Sequence, residues 1–344
     1  MEGDHIKINH WLLPLSWLYG LGVGIRNLMF DEGVLKSKSF DLPVICVGNI
    51  TVGGTGKTPH TEYLIRLLSK MHQVAVLSRG YKRQSTGYVL ATDNTPMTDI
   101  GDEPYQMKHK FPKIHMAVDR DRCHGIEQLM KPDVKPATEV IILDDAYQHR
   151  YVKAGLNILL MDYHRLIYLD KLLPAGRLRE SPSGMTRADI VIVTKCPTYI
   201  TPMDRRGIER SLNLQNWQKL FFTTYTYPNK LKSVGKRPLL VTGIASPRQI
   251  EYDLRKILPD LELMSFPDHH NFTDKDIEAI RQRAQGRTIL TTEKDATRLH
   301  GLNNMKDIPI QVTFLNDQGT EFDRIIQDFV QSKLQQLCQQ KYPH

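Results

Sequence analysis

The 344-residue sequence predicts an α/β protein: a mostly parallel sheet with helices on both faces, plus a smaller α/β domain at the C-terminal end. Three observations predict it. Short apolar runs of strand length recur along the chain, each closed by a turn residue. Stretches with apolar residues at helical spacing lie between them. Near residues 198–236 the composition turns polar, and a second strand–helix series starts after it. Strands alternating with helices imply right-handed crossovers and parallel pairing. A chain of this length is long for one core, which favours two domains.

The N-terminal stretch INHWLLPLSWLYGLGVGIRNLMF, residues 8–30, has no Asp, Glu or Lys, and Arg26 is its one certain charge. Its uncharged run Ile8–Ile25 is 18 residues, the lower edge of a spanning helix, but it contains Pro14, Ser16 and three glycines. It lacks the basic start and small-residue cleavage site of a secretory signal. Trp11, Leu15, Leu18, Ile25 and Met29 share a helical face, with Trp17 and Tyr19 as interface anchors. The reading is a helix lying on a membrane surface; a helix buried against the protein's own core is the alternative.

Pro43–Val47 is an apolar run ending at Gly48, as a buried parallel strand would be. Residues 60–71 then place Tyr63, Leu64, Leu67, Leu68 and Met71 at helical spacing. Strands are expected at 73–81, 113–118, 140–150, 156–163 and 188–196, and in the second series at 237–247, 287–295 and 308–315. A helix closes the chain at 322–340. The expected division is 1–30 as the membrane-associated helix, 31–215 as the core, 216–236 as the interdomain segment and 237–344 as the smaller domain.

Between strand and helix lies GGTGKT, Gly53–Thr58. Glycines let backbone N–H groups point inward, and the helix N-terminus adds a favourable partial charge. The sheet is therefore of the P-loop nucleotide-binding kind. Gly53, Gly54, Thr55 and Gly56 would cradle phosphates, Lys57 would reach the β- and γ-phosphates, and Thr58 would ligate Mg²⁺. Pro59 is tolerated in a first helical turn. The usual leading glycine falls on Thr51, which the cradle itself does not need. The partner acid is expected after an apolar strand, and VIILDD supplies Asp144 and Asp145 as Mg²⁺ ligands. ATP and Mg²⁺ are the expected cofactors.

A net charge of +8 favours an anionic partner. The basic residues are dispersed, with no Lys/Arg run interleaved with aromatics, so nucleic acid is not expected. The four cysteines, 46, 123, 196 and 338, show no Cys-x-x-Cys and no metal-like spacing, which reads as a reduced intracellular protein.

Other groups exceed what a nucleotide switch needs. IGDEPYQM offers adjacent Asp102 and Glu103 or a charged turn. LPAGRLRES places Arg177, Arg179 and Glu180 where guanidinium groups can grip a phosphate. SFPDHHNFT holds Asp268, His269 and His270, as metal ligands, an acid/base unit or plain loop residues.

GNITVGGTGKTPHTEYLIRLL, LSRGYKR, GDEP, LDDAYQHR, LLPAGRLRE, VTGIASP, FPDHHNFT and LTTEKDATRL, in that order, give the chain from about residue 42 to 300 a strong resemblance to the tetraacyldisaccharide 4'-kinases, the lipid A 4'-kinases. The resemblance implies transfer of the γ-phosphate of ATP to the 4'-hydroxyl of a tetraacyl disaccharide 1-phosphate. It also implies lipid A biosynthesis at the cytoplasmic face of the inner membrane of a Gram-negative bacterium. Thr51 is that family's spelling of the loop. Asp102 matches the family's base and Glu103 its acidic neighbour; the first histidine of DHH, His269, matches the partner of that base, with His270 left open. Lys57 and Arg179 take catalytic roles, and Gln148, Arg177, Glu180 and Glu103 are expected at the substrate. Ala146 and Tyr147 stand where the family has Gly-Phe, which puts the local backbone in question, and Arg177 stands where many members have proline.

The partners implied are the acylated disaccharide 1-phosphate and the membrane surface, with no obligate protein partner evident. Three rivals come from other classes, the blandest a non-catalytic nucleotide-binding scaffold. A membrane-associated ATPase of the partitioning type would need lysine at position 52, which is Val52. A GTP-binding protein would need asparagine where Glu293 stands in TTEKDA.

Overall fold

The computed structural model describes residues 8–227, 231, 234–244, 247–268 and 270–341. Two compact units form: residues 1–225 with 312–344, and residues 226–311.

The first unit opens with α1 (Leu13–Asp31), followed by β1 (Val44–Gly48), α2 (Lys57–Leu68), β2 (Val74–Ser78), β3 (Val89–Ala91), α3 (Met97–Ile100), α4 (Asp102–Lys110) and β4 (His115–Val118). Then come α5 (Arg122–Leu129), β5 (Val140–Asp144), β6 (Leu156–Asp162), β7 (Ile190–Thr194), α6 (Pro202–Leu212) and β8 (Lys219–Thr226). The second unit holds β9 (Leu239–Thr242), α7 (Pro247–Arg255), β10 (Glu262–Ser265), α8 (Asp274–Ala284), β11 (Ile289–Thr292), α9 (Glu293–Ala296) and β12 (Met305–Ile308). The chain returns to the first unit through β13 (Gln311–Phe314) and α10 (Gly319–Lys341).

Among the described residues the large sheet runs β13-β8-β7-β6-β1-β5-β2-β4-β3, and the small one β10-β9-β11-β12. Pairing from β2 through β8 is parallel across β1, β4, β5, β6 and β7, and β3 alone of these is antiparallel, against β4. Strands β1, β2, β5 and β7 are buried at every position, which is why they read as unbroken apolar runs. The expected fold class is the one observed.

The division of the chain differs from expectation. Residues 216–236 were expected to link the domains, yet β8 is a strand of the large sheet. Residues 312–344 were expected in the smaller domain, yet Phe314, Phe322, Ile326 and Val330 bury themselves with Phe221 in the first unit's core. Each such side chain is worth about 1.5–3 kcal/mol when removed from water, and Phe322 packs edge-on to Phe221 at 5.4 Å. This long-range packing outweighs sequence adjacency.

Helix α1 has two faces. Ser16 donates to the Leu172 carbonyl oxygen (3.0 Å), Tyr19 to that of Arg179 (2.8 Å), and Phe30 is buried edge-on to Tyr151. The other face is bare: Trp17 is 73% exposed and Leu18 68%, with Leu15, Leu21, Ile25 and Leu28 also exposed, and Trp11, in the 3-10 turn just before the helix, is 93% exposed. The contacts of the first face match the alternative of a helix packed on the protein's own core, and the apolar residues of the second stay exposed. No helix among the described residues is long and apolar enough to cross a membrane.

Candidate active site

The parallel register sets Val47 of β1 beside Asp144 of β5, so the glycine-rich loop and the acid pair emerge from adjacent strands at the same sheet edge. Gly56 caps α2 with φ +90°, and a Cβ there would meet the Tyr225 hydroxyl at 2.3 Å, so any other residue would strain the turn and displace Tyr225. Thr55 is buried: its hydroxyl accepts from Asn49 (2.7 Å), and its carbonyl accepts from Thr194 of β7 (2.8 Å). Thr51 needs no glycine dihedral because it lies in a short antiparallel bridge to Leu178. Backbone bonds from Val52 to Arg177 (2.8 Å) and from Arg179 to Ile50 (2.8 Å) extend that bridge. The LPAGRLRE segment is thus built onto the phosphate loop, and a Cβ on Gly53 would lie 3.9 Å from the Arg177 guanidinium.

Lys57 Nζ and Arg179 Nη1 each stand 3.5 Å from Asp145 Oδ1. Asp145 takes a left-handed conformation, φ +49°, and Ala146 after it does not, so the turn tolerates alanine where the family has glycine. Asp144 is buried and accepts from Thr61 (3.2 Å) and Ser78 (3.3 Å). Burial, then the carboxylates of Glu103 and Asp145, push Asp144 up to about 7, with Lys57 opposing. A cluster with that surplus of negative charge fits a divalent cation: the donors are carboxylate and hydroxyl oxygens, as Mg²⁺ requires. Phosphates fit as well, since a Cβ on Gly54 would meet nothing within 4 Å.

Asp102 and Glu103 open α4, whose cap Gly101 has φ +90°. A Cβ on Gly101 would lie 2.8 Å from the Tyr81 carbonyl, so the start of α4 sits against the turn after β2. The far side of α4 is tied to α2 through Glu62, 1% exposed, which accepts from Gln106 (3.0 Å) and pairs with Lys110 (2.7 Å).

Gln148 and Glu180 form a layer behind these groups. Gln148 donates to the Asn49 carbonyl (2.5 Å) and to Glu180 (3.1 Å), and its own carbonyl oxygen accepts from Arg179 at a long 3.4 Å. Glu180, expected at the substrate, is 2% exposed and also accepts from Arg187 (2.7 Å) and Asn27 (3.2 Å). It braces Gln148 and α1 from behind, whereas Arg177 is exposed.

In the second unit His269 lies outside the described residues. His270 contacts Asp276 (3.0 Å) and stacks on Phe266 (5.0 Å between centroids). Asp295 of TTEKDA is fully buried and accepts from Thr242, the Gly243 amide, Thr292 and Arg298. That makes it an internal hub of its unit, with no carboxylate free to read guanine.

The structure also reveals His60, for which sequence spacing gave no signal. Its Nδ1 donates to the Gly56 carbonyl (2.7 Å), and burial pushes the imidazole down to about 4, so it is neutral near pH 7.

A parallel sheet, a glycine-rich loop opening a helix, and acids on the neighbouring strand define a P-loop phosphotransferase. The family model of LpxK, tetraacyldisaccharide-1-P 4'-kinase, matches residues 8–331. The tetraacyldisaccharide 4'-kinase of Phocaeicola vulgatus is 56% identical over 356 residues, covering 96% of this chain and 97% of its own. That of Porphyromonas gingivalis strain W83 is 44% identical, with coverages of 94% and 98%. The crystal structure of the "apo" form of LpxK from Aquifex aeolicus in complex with ATP superposes with a TM-score of 0.73 at 30% identity, covering 93% of this chain and 98% of that one. The chain belongs to the tetraacyldisaccharide-1-P 4'-kinase family and is a kinase. The partitioning-type ATPase is not favoured.

Proposed function

We propose that the chain transfers the γ-phosphate of ATP to the 4'-hydroxyl of a tetraacyl disaccharide 1-phosphate, at the cytoplasmic face of the inner membrane. The observation that carries this reading is the acid pair Asp102–Glu103 on a helix start set against the turn after β2. Glu103 is near enough to bias Asp144, and a nucleotide switch has no need of such a pair.

In this reading Gly53–Gly56 present backbone amides to the phosphates, and Lys57 neutralises charge on them. Arg179, at the same Asp145 oxygen, does the same, and Arg177 and Gln148 orient the acceptor sugar. Mg²⁺ held by Thr58, Asp144 and Asp145 would supply charge neutralisation at the β- and γ-phosphates. Asp102 takes the proton of the 4'-hydroxyl as the new O–P bond forms and ADP departs. Phosphoryl transfer has a loose transition state, so positioning and charge dominate, and the base adds about 10²–10⁴-fold. The apolar face of α1 supports delivery to a lipid surface.

The test is transfer of radiolabelled γ-phosphate from ATP to a tetraacyl disaccharide 1-phosphate in micelles. Labelled lipid that disappears in Lys57→Ala supports the reading. In Asp102→Asn, turnover should fall by about 10²-fold or more with ATP affinity within about twofold of wild type. Equal loss of both would reduce Asp102 to a turn residue, and ATP hydrolysis with no labelled lipid would remove the acceptor assignment.

A further inference from the structure

Away from the phosphate loop, three side chains of different chemistry converge. Asp121 and Cys123 stand at the start of α5 and His149 in the turn after β5; a carboxylate oxygen, Sγ and a ring nitrogen lie within 4.8 Å of one another. Their spacing in sequence gives no sign of this, because the fold brings residue 149 to residues 121–123. We propose that Asp121, Cys123 and His149 bind a divalent transition-metal cation of the zinc class, with water completing the coordination. The proposal stands independently of the kinase reading.

Donor set and geometry both favour such an ion. One sulfur, one nitrogen and one oxygen are the ligands of borderline-soft cations, whereas Mg²⁺ takes oxygen alone. In a tetrahedral zinc site ligand atoms lie about 3.5 Å apart, given bonds of about 2.0–2.3 Å. Small rotations of three partly accessible side chains cover the difference.

A second observation points the same way. His149 Nε2 is buried with no hydrogen-bond partner among the described residues. Burial, then Arg122, hold the imidazole down to about 4, with Arg26 and Arg79 contributing and Asp121 opposing. The ring is therefore neutral near pH 7, and its lone pair is available. An unmet buried nitrogen costs free energy that coordination recovers.

The other two ligands keep a free valence. Asp121 Oδ1 accepts from the Cys123 amide (2.9 Å) and the His124 amide (3.3 Å), leaving Oδ2 for the cation. Cys123 Sγ donates only a weak bond to the Tyr151 carbonyl (3.4 Å). On binding, the thiol proton leaves to solvent and an S–metal bond forms. The thiolate and the Asp121 carboxylate then cancel the cation's two charges, and with the thiol proton gone, binding adds one net positive charge to the site rather than two. An occupied site would join the start of α5 to the turn carrying Asp145 and Gln148.

Co²⁺ titration of the full-length protein, with ATP and Mg²⁺ present, tests this. The expected result is one equivalent bound with a thiolate-to-cobalt charge-transfer band, a signature the all-oxygen site at Asp144 and Asp145 cannot give. Cys123→Ser should abolish the band and weaken Zn²⁺ binding by about 100-fold, while Cys338→Ser leaves both intact. Zn²⁺ should also shield Cys123 of the wild-type protein from alkylation, a readout that needs no variant to fold. A band that is absent, or that survives Cys123→Ser, or equal alkylation with and without Zn²⁺, would overturn the proposal.

Discussion

His60 Nε2 lies 3.0 Å from Thr223 Oγ1, joining the first turn of α2 to β8. Because the Gly56 carbonyl can only accept, Nδ1 carries the proton and Nε2 accepts from the threonine hydroxyl. The pair fixes the last glycine of the phosphate loop from behind. Thr223→Val should cost about 1 kcal/mol and raise KM for ATP several-fold. His60→Leu, which leaves the Gly56 carbonyl only the longer bond from the residue-60 backbone amide (3.3 Å), should raise it about tenfold, with a smaller effect on kcat. Steady-state kinetics decide, and an unchanged KM in both variants would reduce the pair to core packing.

Glu62 holds α2 and α4 together from a site closed to water. Removing its carboxylate takes a partner from Lys110, Arg66 and Gln106 at once, so Glu62→Ala should lower stability by about 3 kcal/mol. Turnover should fall with it, since α4 carries Asp102 on its first turn. Urea unfolding measures the first effect; a midpoint equal to wild type would show that the network is dispensable.

The bare face of α1 leads to a prediction about lipid. Trp17→Glu combined with Leu21→Glu removes two side chains, each worth about 1.5–3 kcal/mol of burial, so binding to anionic vesicles should weaken by about 100-fold or more. Vesicle sedimentation reads this directly. Activity on a water-soluble acceptor lacking acyl chains should be unaffected, and undiminished vesicle binding would mean that another surface docks.

Asp276 gives a pH signature in the second unit. The Thr273 amide and hydroxyl, then His270, hold its carboxyl down to about 2 from 3.8. A depressed carboxylate stabilises above its unfolded value, and that contribution disappears as pH falls from 3.8 to about 2. Asp276→Ala should therefore speed amide exchange in α8 relative to wild type near neutral pH. The difference should shrink across that acid window; a difference that persists below it would assign the effect to packing.

The phosphate loop and Asp144–Asp145 were legible because their signal is local: glycines, a lysine and acids at fixed offsets from an apolar run. β8 was not, because Thr223 and Thr224 are buried yet polar, their hydroxyls bonded to His60 and to the Cys196 carbonyl. Hydropathy reads such a strand as a polar linker. His60 and Glu62 look like surface positions of a helix, since the residues that make them internal, Thr223, Gln106 and Lys110, are remote in sequence. The same cause hid the return of residues 312–341 to the first sheet and the gathering of Asp121, Cys123 and His149. Glu180 was found by its motif, but its burial could not be.

That return crossing has a consequence for biosynthesis. A ribosome delivers β8 and then all of residues 226–311 before β13 emerges to cover its edge. At about 5–20 residues per second the interval is on the order of ten seconds. Throughout it, Phe221 lacks Phe314 and Phe322, and β8 offers an unpaired edge to any passing strand. The nascent chain is thus most vulnerable to aggregation while the smaller unit is being made.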